Sequence, residues 1–138
     1  MRPTFLAIAV SLLHHAAVSA EDGLPEALHQ FDYTPGVFES KSEDRADRED
    51  WKQVKVTFPS PVETKTVENN TVHAHLFRPK KNATGAGVVI LPIWKGSGLD
   101  LEFMVAGRLA KTGIAALVME LPYQFDRAPE GHRSGDMT

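Results

Sequence analysis

No cysteine occurs among the 138 residues, so neither a disulfide framework nor a lipidated-cysteine anchor is open to this chain, and packing alone must stabilise it. No apolar run approaches the roughly 20 residues that a membrane-spanning helix needs. The longest candidate, residues 5–13, is followed at once by His14-His15. Lysine clusters are sparse and the net charge is −3, which leaves no basic patch of the kind that nucleic-acid binding requires. A Gly-x-Ser-x-Gly motif, the usual mark of an activated serine on a strand-to-helix turn, is missing throughout.

What is present begins with the pattern of a secretion signal. Arg2 supplies a positive start, residues 5–13 a short apolar core, and Val18-Ser19-Ala20 the small residues of a cleavage site. Residues 1–20 are therefore read as a signal peptide, with export to a periplasm or the exterior and no membrane attachment after cleavage. The remainder is uneven in charge. Residues 21–50 carry ten acidic and three basic side chains, net −7, whereas residues 51–138 carry eight acidic and eleven basic, net +3. This shift divides an acidic leader arm or linker, residues 21–50, from a folded domain, residues 51–138. Pro25, Pro35 and Gly36 break the arm, and Phe31, Tyr33, Val37 and Phe38 offer a cluster for docking. The charged run 41–50, in which Ala46 is the one apolar residue, reads as a solvated helical turn or linker.

From Trp51 the pattern has a period of two. Val54, Val56 and Phe58 fall on one side of a strand and Lys55 and Thr57 on the other, and Pro59-Ser60-Pro61 ends it. A second extended segment is expected over residues 62–67, then a turn at Asn69-Asn70. Val72, Ala74 and Leu76 next alternate with His73, His75 and Phe77, which predicts an antiparallel hairpin at the edge of a sheet. Residues 87–91 form a continuous apolar run without alternation, the pattern of a strand buried on both faces of a parallel sheet. A helix follows, with Ser97 or Asp100 as its cap, Leu101, Met104, Val105 and Leu109 as its apolar face and Gly113 at its end. Residues 114–119 then supply a second buried strand, completing a right-handed βαβ unit.

In this order the segments resemble a known family. A hairpin ending Leu76-Phe77-Arg78-Pro79, the strand Val88-Val89-Ile90-Leu91-Pro92, a turn containing Gly96 and Gly98, the helix end Arg108-Leu109-Ala110-Lys111-Thr112-Gly113 and the acidic Glu120 after the next strand are similar to the N-terminal part of α/β-hydrolases. The likeness is greatest to the dienelactone hydrolase and acetyl xylan esterase branch, and it spans residues 51–127. The fold class it implies is α/β: the N-terminal portion of an α/β-hydrolase sheet, an antiparallel hairpin followed by a βαβ unit, truncated before the nucleophile elbow.

The resemblance also implies chemistry. In such enzymes the turn after the third strand supplies one backbone N–H of the oxyanion hole, often from a His-Gly-x pattern. Here Pro92 and Ile93 stand where the histidine and glycine would be, which carries the donor onto the amide of Trp94, with Ile93 as the alternative. A plain packing role for Trp94, capping the core beneath the sheet end, stands beside that reading. Gly96 and Gly98 suit a tight turn of positive φ. Lys95 either adds positive potential near a bound acyl oxygen or is simply solvated.

The nucleophile, acid and histidine of a triad are expected outside this chain. Ser134 lacks the motif spacing and a flanking strand, and His132 precedes the place where a general base should fall. Glu120 is read as capping the next turn, with Arg127 or Arg133 as its ion-pair partner. His73 and His75 share a strand face, suited to a metal or, more simply, to the solvated side of an edge hairpin; no metal and no cofactor is assigned. Asn69 and Asn82 each open an Asn-x-Thr glycosylation triplet. The function expected is that of an exported serine hydrolase acting on an ester or related acyl bond of a small molecule or carbohydrate, present as an N-terminal fragment and inactive as 138 residues. The alternative is a small exported non-catalytic binding or accessory domain.

Overall fold

The computed structural model describes residues 36–136. The chain divides into two compact units between Gly36 and Val37, and the sheet and helix described below belong to the second. The signal-peptide reading of residues 1–20 and the aromatic pair Phe31 and Tyr33 lie outside the described residues. No helix among the described residues is long and apolar enough to cross a membrane.

Among the described residues five strands, β1 (Lys41–Asp47), β2 (Trp51–Pro59), β3 (Thr71–Pro79), β4 (Gly87–Ile90) and β5 (Ala115–Met119), form one mixed sheet, and a helix of twelve residues, α1 (Asp100–Lys111), joins β4 to β5. The order across the sheet is β1-β2-β3-β5-β4. β1, β2 and β3 pair antiparallel, β3 pairs antiparallel with β5, and β4 lies parallel to β5. The hairpin and the βαβ unit therefore join into one α/β sheet.

Register sets what each face carries, because residues opposite one another on paired strands point the same way. Gln53, Lys55 and Thr57 oppose Phe77, His75 and His73, and Phe77 and His75 in turn oppose Ala116 and Val118. α1 packs on this face. Phe77, Ala106, Ala110, Ala116 and Val118 form the buried core, flanked by Trp51, Ile90, Leu99, Phe103 and Leu109. The small residues Ala106, Gly107 and Ala110 let the helix backbone approach the sheet, and Phe77 fills the space between Trp51 and Phe103, its ring centroid 5.1 and 5.5 Å from theirs. The opposite face carries Val54, Val56, Phe58, Val72, Ala74 and Leu76, and Phe38 stacks on Phe58 at 5.1 Å.

Several expectations need correction. The charged run is no helical turn or linker, since Lys41–Asp47 forms the edge strand β1, with a register shift between Asp44 and Ala46. Local charge disfavours burial but does not prevent pairing at an edge where side chains face water. Residues 62–67 are not extended as a strand; a loop leads into a 3-10 turn at Val67–Asn70. β3 lies inside the sheet rather than at its edge, and β4, read as buried on both faces, is the other edge strand, with Val88 and Val89 exposed.

α1 is turned relative to the expected apolar face. Leu101, Met104 and Val105 are exposed, while Phe103, Ala106, Gly107 and Ala110 meet the sheet. A helix apolar on two sides leaves its choice of face to the sheet. Its N-cap is Leu99, without a side-chain cap from Ser97 or Asp100. Its end is as expected. Gly113 takes φ +90°, the Ile114 N–H reaches the Leu109 carbonyl at 3.1 Å and the Gly113 N–H that of Ala110 at 3.1 Å, the paired bonds of a Schellman motif. A Cβ at Gly113 would sit 2.0 Å from the Asn82 carbonyl oxygen, so both the backbone angle and the close approach require glycine.

Candidate functional site

The C-terminal ends of the parallel strands β4 and β5 open onto one side of the sheet, the side where α/β proteins place their ligands. Beyond Ile90 the chain crosses Leu91 and the buried Pro92, then turns through residues 93–96 with a hydrogen bond from the Gly96 N–H to the Ile93 carbonyl at 3.2 Å. The left-handed residue in this turn is Lys95, φ 59°, not Gly96 or Gly98. Gly96 serves by its size, since a Cβ there would meet Ile93 Cγ2 at 3.0 Å.

Two buried polar side chains hold the Ile93 peptide. Glu102, on the first turn of α1, accepts the Ile93 N–H at Oε1, 3.3 Å, and Gln124 donates from Nε2 to the Ile93 carbonyl at 3.3 Å. Glu102 is 7% exposed and Gln124 fully buried, although Ile93 itself is exposed, so water competes for these bonds from one side only. Of the two amides expected as donors, that of Ile93 is thus engaged. The Trp94 amide bonds no described residue. The Trp94 side chain is 43% exposed, so it does not cap the core.

A second buried cluster lies beside the turn and fixes residues 120–127. Glu120 accepts the Asp126 N–H at Oε2, 3.0 Å, and faces His75 Nε2 with Oε1 at 3.3 Å. Arg127 donates to the Glu120 carbonyl at 3.0 Å and to the Asn69 carbonyl at 2.9 Å, and Asn69 Oδ1 accepts the Tyr123 N–H at 2.8 Å. Tyr123 and Phe125 both have positive φ, 61° and 47°, a strained state for residues with a Cβ. Strain of this kind persists where neighbours over-determine the backbone, and Asn69, Glu120 and Arg127 supply those constraints. Glu120 therefore caps the turn as expected, but neither arginine pairs with its carboxylate: Arg127 reaches only the Glu120 backbone carbonyl, and Arg133 makes no bond to Glu120.

The two histidines are not on a solvated edge. His73 and His75 have side chains 19% and 12% exposed. His75 packs edge-on against Phe103 at 4.8 Å, with Gln53 Nε2 3.5 Å from its Nδ1. A proton on Nε2, directed at Glu120, leaves Nδ1 as the acceptor for that amide. His73 Nδ1 lies 3.6 Å from Asp126 Oδ2, beyond hydrogen-bond reach, and Lys55 binds the same oxygen. Burial holds the His73 pKa below its ordinary value, and the Lys55 hydrogen bond lowers that of Asp126. Among the described residues no three His, Cys, Asp or Glu side chains converge as a metal site.

Ser134 and His132 form no hydrogen-bonded dyad. His132 is exposed, its Nδ1 3.2 Å from the Glu130 carbonyl, and the Ser134 Oγ bonds no described residue. Asn69 is 1% exposed with a buried side-chain nitrogen, which leaves no room for a glycan there in the folded chain. Asn82 is exposed. The residues missed from sequence are Glu102 and Gln124, whose polarity at helical or loop positions reads as solvation until the fold buries them.

No family model matches the chain, and no curated protein matches it. Among solved structures, acetyl xylan esterase 1 from Thermoanaerobacterium sp. JW/SL YS485 is similar over 61% of this chain and 24% of that one, with 12% identity and a TM-score of 0.39. The chain thus spans about a quarter of that esterase's length.

Proposed function

We propose that this chain is the oxyanion-stabilising part of an exported α/β-type serine hydrolase acting on an ester or related acyl bond. The observation that carries the reading is the Ile93 peptide held by Glu102 and Gln124 at the C-terminal end of β4, with the next amide, that of Trp94, left without a partner among the described residues. A backbone N–H fixed before the reaction costs no reorganisation when negative charge develops on a carbonyl oxygen. The strand-turn-helix order around it, and the acidic residue after β5, support the same reading. Residues 1–20 support export, and a small-molecule or carbohydrate ester fits a turn that presents Trp94 at the surface.

Acyl transfer through serine needs a nucleophile and base that the 138 residues do not supply in motif form. Exposure to a chromogenic acetyl ester and to a fluorophosphonate should therefore give neither turnover nor labelling with these 138 residues. Turnover or labelled serine on this chain contradicts the division of the site. Reading the coding sequence beyond Thr138 tests the rest: a strand followed by Gly-x-Ser-x-Gly within about 60 residues is expected from the element order, and a stop codon without it favours a non-catalytic binding domain.

A further inference from the structure

Beside the turn, the segment 133–136 folds against Lys95 and leaves an open cleft of about 420 Å³ lined by Lys95, Gly96, Ser97, Arg133, Ser134 and Asp136. We propose that this cleft binds the oxyanion of a small molecule, a carboxylate or a phosphate group. Aliphatic stems form much of its wall, but every side chain that lines it ends in a polar or charged group. Two are cations, and neither Lys95 nor Arg133 makes an ion pair with a described residue. The single carboxylate, Asp136, is already engaged, because its Oδ2 accepts the Arg133 N–H at 3.1 Å while the Asp136 N–H closes the turn on the Arg133 carbonyl at 3.1 Å. The lining therefore carries an excess of one positive charge. One carboxylate does not make a cation site; two uncommitted cations and two hydroxyls match an anion.

The cleft is also built rather than accidental. Gly135, φ +79°, has its Cβ position 2.7 Å from Lys95 Cγ, so glycine makes room for the lysine stem and seats it. The Gly135 N–H donates to the Tyr123 carbonyl at 2.7 Å, which ties the segment to the strained turn that Asn69 and Glu120 hold. The Ser134 Oγ is shielded from solvent and bonds no described residue. A buried hydroxyl without a partner is costly, and rotation of the Ser134 side chain toward the cleft, whose wall the residue forms, would bring it to an oxyanion oxygen.

The proposal does not depend on hydrolysis, since binding needs no nucleophile, and its test reads binding alone. The full chain, labelled with nitrogen-15, is titrated with sodium phosphate, with sodium acetate and with neutral acetamide at constant ionic strength. Saturable shifts at the amides of Gly96, Ser97 and Ser134 are expected with one or both anions and none with acetamide. Response to phosphate alone assigns a tetrahedral oxyanion and response to acetate alone a planar one. Arg133→Gln and Lys95→Asn, the latter suited to positive φ, should each weaken binding about tenfold, the loss of one charge-assisted bond, while Arg133→Lys retains much of it. Both positions are exposed, so the rest of the spectrum should stay in place. Shifts that never saturate, an equal response to acetamide, or unchanged affinity in both variants would overturn the proposal.

Discussion

Charge is dense in two regions of this protein, along the edge strand β1 and beneath the C-terminal end of β5, and water separates their roles. On β1 the pairs are solvated: Lys52 with Asp44 at 2.7 Å, Arg45 with Glu43 at 2.9 Å, and Lys80 with Asp47. Solvent screening makes such pairs worth little to stability. Their service is to keep an edge strand from pairing with other chains, an effect the register shift near Asp44 reinforces. Beneath β5, by contrast, Asn69, Glu120, Gln124 and Arg127 are all buried, so what bonds they make are to protein, and Asn69 Nδ2, Gln124 Oε1 and Arg127 Nε make none to a described residue. The first region protects the sheet, and the second holds the backbone on which the candidate site stands.

Removing charge should separate the two. Glu120→Ala takes the carboxylate from His75 and the Asp126 amide and leaves Arg127 buried without a counter-charge, an expected loss of about 3–5 kcal/mol in urea unfolding. Glu120→Gln keeps the shape and one acceptor, so a smaller loss of about 1–3 kcal/mol is expected. Equal losses for the two variants would show that shape, not charge, matters there. Glu102→Ala frees the Ile93 amide at a cost of about 1–2 kcal/mol. Faster hydrogen exchange at Ile93, with the exchange of the β3 amides unchanged, is the measurement that ties this loss to the turn.

Protons offer a gentler way to sharpen the contrast. The folded-state pKa of His73 is depressed, chiefly by burial, among Lys55, Glu120, Asp126 and Arg127. The unfolded chain then binds the proton more readily, so stability is full above the ordinary histidine value of about 6.5 and falls as pH drops through that value toward the folded one. Asp126 adds a loss of the same sign at lower pH, below the ordinary carboxylate value of about 3.9. Replacing His73 by Asn should flatten the dependence of the unfolding midpoint on pH between about 5 and 7. A slope retained in that variant would move the titration to another group. The smallest effect is expected at the edge, where Asp47→Ala should leave the midpoint unchanged and insensitive to salt, although its carboxyl pKa is lowered by Lys80.

What was legible in the residues was local. Alternation over residues 54–58 and 72–77, the stop at Gly113 and the strand-helix-strand order are encoded within a few positions, because backbone preference and side-chain period act at that range. Glu102 and Gln124 were not legible, since a polar side chain shows its worth only once neighbours exclude water from it.

Residue order was thus enough for the presence of β2 to β5, for the helix and its end, and for a turn after β4, but not for Lys95 as the left-handed residue of that turn. Assembly of the sheet was needed for the rest: that the charged run of residues 41–47 pairs as a strand, that β4 lies at an edge, that α1 turns Phe103 and Ala106 inward instead of Leu101 and Met104, and that His75 meets Glu120 across 45 residues. Each of those outcomes rests on partners distant in the chain. Burial and pairing are properties of the assembled sheet, and a local pattern compatible with two faces or two neighbours leaves that choice to packing.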